Sequence, residues 1–124
     1  MANKPLRRRR LSAFHLQDGR CYYWTVKMWT DDCRSFASRF AIPLRIAQPL
    51  QCTTEHLQAR CNGGSDSASN IVAACWRCKH QQHSRKTPLG PEPYRRHVKN
   101  RLAKNRWHHQ QVFMRGLIAQ SACL

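Results

Sequence analysis

Acidic residues are scarce in this chain: 6 Asp and Glu stand against 22 Lys and Arg among 124 residues, a formal net charge of +16. A charge of that size says little about fold, but it points to nucleic acid or an anionic membrane surface as partner. Long apolar runs are also missing; none approaches the ~18 residues a membrane span requires, so a transmembrane protein is excluded and no membrane partner is expected. No apolar stretch follows the arginines at residues 7–10, which argues against a secretory signal. An organelle transit peptide has only the late first acidic residue, Asp18, in its favour. The chain is therefore expected to be cytoplasmic. Its seven cysteines, an odd number, are expected to be reduced, some of them metal-bound, rather than a disulfide framework. There is no internal repeat and no base-reading motif, so nucleic-acid contacts should fall on backbone and shape.

The length suits one small domain with a thin core, a size at which a metal or other staple often supplements packing. Residues 1–10 read as a solvated basic arm. Residues 11–49 read as a short helix at 11–17 ended by Asp18-Gly19, a knuckle or hairpin over the aromatic and β-branched run 20–29, and a connector limited by Pro43 and Pro49. Within residues 50–86, a strand at 50–54 leads into Glu55-His56. A loop dense in turn formers follows (Asn62-Gly63-Gly64-Ser65-Asp66-Ser67), then a short apolar strand at 71–74 and a helix from Cys75 to about residue 86. In residues 87–124, the prolines at 88, 91 and 93 break that helix. A basic tail from Tyr94 to about Ile118, with Val98, Leu102, Val112, Phe113 and Leu117, then suits one or two amphipathic helices. The fold class is α+β with a small two-stranded unit.

Hydrolysis of a phosphodiester needs a water made nucleophilic and a cation to stabilise charge on the phosphoryl and leaving oxygens. A neutral histidine serves the first need near pH 7, and a metal with few protein ligands serves the second. Glu55-His56, then Asn70, then Cys75-x-x-Cys78 opening a histidine-bearing helix supply such groups in a strand–loop–strand–helix order. That order resembles the His-Asn-His (HNH) endonuclease family, whose ββα-metal module cuts phosphodiester bonds with one divalent cation. The likeness covers residues 50–86 and extends loosely from Leu11 through residues 20–23 to the basic Tyr94-Arg95-Arg96-His97 segment.

The resemblance implies a metal-dependent endonuclease acting on DNA, with Mg²⁺ or Mn²⁺ as catalytic cation. His56 is then the general base, Glu55 the first metal ligand, and Asn70 the residue that pins the loop so that His56 keeps its orientation. The helix ligands fall at positions 79 and 83, one turn apart on one face. Position 83 is His83, but position 79 is Lys79, whose ammonium has three donors and no acceptor and so repels a cation. Three arrangements stay open. Glu55 and His83 suffice for a weak, water-rich site, His80 enters by a shift of helix register, or Lys79 takes the cation's place and leaves a catalytically impaired nucleic-acid-binding protein.

Many members of the family also carry two Cys-x-x-Cys pairs around a structural Zn²⁺, tying an N-terminal knuckle to the helix. Here the second pair is Cys75 and Cys78, while the first reads Cys21-Tyr22-Tyr23-Trp24 and is one thiolate short. Indole offers no ligand atom, so the fourth place would go to Cys33, Cys52, Cys61 or water. Without zinc, the cysteines pack as small apolar residues.

Basic zones flank the motif at residues 7–10, 77–86 and 95–106. Arg77, Arg85, Lys86, Arg95 and Arg96 are the expected phosphate contacts on double-stranded DNA. Trp24, Trp29 and Trp107 are candidates for base stacking, with core packing competing for two of them. A monomer or weak homodimer is expected. A structural zinc-knuckle protein of a ribonucleoprotein assembly is the remaining rival, and the Glu55-His56…Asn70 order argues against it.

Overall fold

The computed structural model describes residues 4–104, 107, 111, 112 and 115–118. It contains α1 (Lys4–Leu16), α2 (Cys33–Phe40), α3 (Leu44–Ala47), β1 (Cys52–His56), β2 (Ile71–Cys75), α4 (Trp76–His83) and α5 (Pro91–Ala103), with short 3-10 turns at Gln48–Leu50 and Arg60–Asn62. β1 and β2 pair antiparallel from Cys52 opposite Cys75 to His56 opposite Ile71. The fold is α+β, a two-stranded sheet with α1 and α4 packed on both strands.

A two-stranded ribbon needs its edges covered to be stable. The Gln17 side chain does this at β2, donating to Ala73 O at 2.8 Å and accepting from Ala73 N at 2.9 Å, while Tyr22 N adds a bond to Ala73 O at 3.0 Å. The Asp18-Gly19 turn, with φ of 57° and 70°, reverses the chain so that both groups reach the strand. The run from Cys21 to Val26 then folds into a knuckle closed by Cys21 N to Val26 O at 2.8 Å, and Arg20 pairs with Lys27.

Five local expectations need correction. The basic arm is not separate from the helix after it: α1 starts at Lys4, because arginine is a good helix former and Pro5 is tolerated in a first turn. The connector at 30–49 contains α2, capped by Asp32 accepting from Ser35 N at 3.1 Å and stopped by Ala41 in the left-handed region at φ 54°. α4 stops at His83 instead of near residue 86, since Gln82 turns its amide onto both backbone groups of Leu89. α5 begins at Pro91, not Tyr94, its prolines lying in the first turn where a missing N–H costs nothing. β1 also reaches His56, so Glu55 and His56 sit in the strand.

The core is centred on the knuckle. Trp24, Val26, Leu50, Tyr94, Val98 and Leu117 are fully buried around Cys21, Cys75 and Cys78. Trp24 and Trp107 meet edge to face at 6.2 Å, and Trp29 donates to Ala47 O at 2.8 Å. Trp24 and Trp107 are thus buried, which removes them as base-stacking surfaces. Phe113, Arg106, His108 and His109 lie outside the described residues. Among the described residues, no helix is long and apolar enough to cross a membrane.

Candidate functional site

Glu55 is 4 % exposed, and a buried carboxylate must be satisfied or neutralised. The Tyr23 hydroxyl donates to its Oε2 at 3.0 Å, and His83 Nε2 lies 3.2 Å from its Oε1. Burial, then the Glu55 charge, pushes the Tyr23 phenol far above its usual range, so it remains a donor. β1 supplies the carboxylate, the knuckle the phenol, and the last turn of α4 the imidazole. Glu55, His56, Asn62, Gln82 and His83 line one cavity of about 290 Å³.

His56 places Nε2 2.8 Å from Asp66 Oδ1. Arg60 grips the same carboxylate through Nε and Nη2, each bond 3.1 Å long. The His56 bond, with Arg60 adding to it, holds the Asp66 carboxyl below its ordinary value. Asp66 read in the sequence only as a turn former. The signal that singles it out is a carboxylate ten residues after a motif histidine in a chain with only 6 acids.

Asn70 uses its whole amide on the loop. Its Oδ1 accepts from Gln58 N at 2.8 Å, and its Nδ2 donates to Gln58 O at 3.0 Å and Ser65 O at 2.7 Å. The loop doubles back so tightly that a Cβ on Gly64 would lie 1.7 Å from the Gln58 carbonyl oxygen. Asn70 therefore fastens the residue before Asp66 and a residue just beyond His56.

Position 79 looks elsewhere. Lys79 lines a second cavity of about 400 Å³ with Thr53, Trp76, His80, His83 and Ser84. His83 borders both cavities. His80 stacks on Trp76, ring centroids 4.5 Å apart and planes within 8°, rather than reaching Glu55.

Neighbouring ligand atoms on one octahedral Mg²⁺ lie about 3 Å apart, given bonds of about 2.1 Å. The Glu55 Oε1 to His83 Nε2 separation of 3.2 Å fits two such positions and leaves the rest to phosphate and water.

The sulfur atoms of Cys21, Cys75 and Cys78 lie within 4.8 Å of one another, all buried. Cys21 and Cys78 are 3.8 Å apart, and Cys75 N donates to the Cys21 sulfur at 3.3 Å. Trp24 Nε1 donates to the Cys75 sulfur at 3.1 Å. Burial alone would raise the Cys75 thiol, but hydrogen bonds from Cys21, Cys78 and Trp24 outweigh it and hold Cys75 well below the usual range. Burial pushes Cys21 and Cys78 up. Three sulfurs fit three corners of a zinc tetrahedron, and the indole N–H, a donor only, stands beside them. Cys33, Cys52 and Cys61 are not in this cluster.

The expected phosphate contacts are placed unevenly. The Arg77 guanidinium lies 5.0 Å over the buried Trp107 ring and that of Arg95 4.5 Å over the half-buried Tyr22 ring. Arg85 is half-buried, while Lys86 and Arg96 are exposed.

Residues 42–85, from just before α3 to just past α4, match the HNH endonuclease family. The chain carries an HNH domain. No curated protein and no solved structure matches the chain. An HNH endonuclease domain implies a nucleic-acid substrate and commonly a metal. In this HNH domain the family's strand pair and helix bring Glu55, His56 and His83 to one cavity.

Proposed function

We propose that this chain is a metal-dependent endonuclease that hydrolyses DNA phosphodiester bonds. The observation that carries the reading is the buried Glu55 carboxylate 3.2 Å from His83 in a cavity shared with His56. Glu55 and His83 would hold Mg²⁺ or Mn²⁺, which when bound supplies electrostatic stabilisation of charge on the phosphate and leaving oxygen. His56 takes the proton from the attacking water. Its Nε2 faces Asp66, so Nε2–H is donated to the carboxylate and Nδ1 carries the lone pair that accepts that proton. Asn70 keeps the loop bearing Asp66 in place. Cys21, Cys75 and Cys78 would hold a structural Zn²⁺ through three thiolates, with water in the fourth place.

The test is plasmid nicking with Mg²⁺, Mn²⁺ or EDTA, wild type beside His56→Ala. Metal-dependent nicking that falls about a hundredfold or more in the variant is expected, the usual contribution of a general base. Equal nicking by both proteins would remove His56 from the mechanism. A second reading, a nucleic-acid binder with impaired catalysis, draws on Lys79 at a position where the family places a ligand; salt-sensitive DNA binding without nicking would favour it.

A further inference from the structure

We propose that the outer face of α4 is a seat for an unpaired base, so that this HNH domain prefers DNA with a nucleotide out of the duplex beside the phosphate it cuts. This rests on the nucleic-acid reading above. Trp76 is 44 % exposed, and among the described residues only Leu16 is a comparably bare large apolar side chain. Burial on α4 goes to Cys78 and Gln82. Trp76 and His80, one turn apart, remain outside and stack on each other at 4.5 Å with planes 8° apart. A partner ring one turn away fixes the indole plane before any ligand arrives, which lowers the cost of ordering it on binding.

The position of this stack gives it a purpose. Its cavity of about 400 Å³ also takes in Lys79 and Ser84, and its wall at His83 is shared with the cavity of Glu55 and His56. A strand with its phosphate at Glu55 and His83 runs on past Lys79 to the stacked rings. The Lys79 ammonium suits the next phosphate, and among the described residues no acidic one lines this cavity. A flat aromatic pair suits the face of a base. In a continuous duplex that face is covered by its neighbours, so only an unpaired base can be received. Lys79, unfit as a metal ligand, has a use here.

The proposal is tested by fluorescence anisotropy with Ca²⁺ in place of Mg²⁺ or Mn²⁺, so that the Glu55–His83 site keeps a cation while cleavage plays no part. The probes are a labelled, fully paired DNA duplex and the same duplex with a single-nucleotide bulge. Wild type is expected to bind the bulged duplex about tenfold more tightly, a typical gain from stacking one base. Trp76→Ala should abolish that preference while keeping the affinity for the paired duplex, which also shows that the variant is folded. Trp76→Phe should restore most of the preference, and Lys79→Ala should weaken binding to both probes with a shallower salt dependence. No preference in wild type, a preference that survives Trp76→Ala, or an equal loss on both probes overturns the proposal. Failure of wild type to bind either probe overturns the nucleic-acid reading itself, and this proposal with it.

Discussion

The sulfur cluster and the Glu55–His83 pair each differ by one residue from the ligand set their family leads one to expect, and they handle the difference in opposite ways. In the cluster, Trp24 stands where a thiolate would be. It is 2 % exposed and gives its N–H to the Cys75 sulfur at 3.1 Å. On α4, Lys79 stands where a second helix ligand would be, and it lines a different cavity from Glu55 and His56. The difference follows from burial. A close-packed interior tolerates no void, so whatever residue stands at position 24 must fill its space, and the indole does so while giving the Cys75 sulfur a donor. In the middle of α4 the half-buried Lys79 has a long flexible stem and lines an open cavity, so its ammonium need not be matched by a packed partner.

If that contrast is right, the largest effect of any single change belongs to Trp24. Trp24→Ala leaves a large void in the core and strips a hydrogen bond from Cys75, a loss of about 3–5 kcal/mol. Domains of this size are commonly stable by about 5–15 kcal/mol, so urea unfolding should show a variant that has lost a large part of its stability. An unfolding midpoint unchanged from wild type would mean that Trp24 does not hold the knuckle, and the contrast would collapse. Lys79→Asn probes the other half. It removes a cation near the site and adds a neutral acceptor, and at saturating DNA it should raise Mn²⁺-dependent cleavage about tenfold, or ~1.4 kcal/mol in the barrier, with stability nearly unchanged. A large fall in stability would show that Lys79 is as built-in as Trp24.

How much of this could be read beforehand follows the same division. The strand–loop–strand–helix order was legible because turn formers and apolar runs mark it locally, and the joint position of Glu55, His56 and His83 was legible through family order. What stayed hidden depends on tertiary reach. Residue 32 looked like connector, although Asp32-x-x-Ser35 is a helix cap. Core packing is the expectation for two of Trp24, Trp29 and Trp107, but aromatic content alone does not say which two; the fold buries Trp24 and Trp107. Trp76, placed between Cys75 and Cys78, looked like a spacer and is the exposed one. Asp66 sat in a run of turn formers, and only the folded loop brings it to His56.

Asp66 is the smallest test of the contrast, since it contacts His56 on the open side. Its side chain is 41 % exposed, so its pairing with His56 and Arg60 should add little to stability, whatever it adds to the placement of His56. The carboxyl is held below the ordinary carboxylate value in the folded protein, first by the His56 hydrogen bond and then by Arg60. A lowered folded value means that the unfolded chain takes up the proton first as pH falls. The contribution is therefore complete above the unfolded value and drains away below it, towards the lower folded value. Asp66→Asn should accordingly match wild type closely in urea unfolding at neutral pH, and show a slightly flatter decline of stability in the acid range beneath pH ~4. Its nicking activity should fall even so, because an amide no longer fixes the His56 ring as a carboxylate does. A large loss of stability at neutral pH would show that the open side of this site is as tightly built as the sulfur cluster.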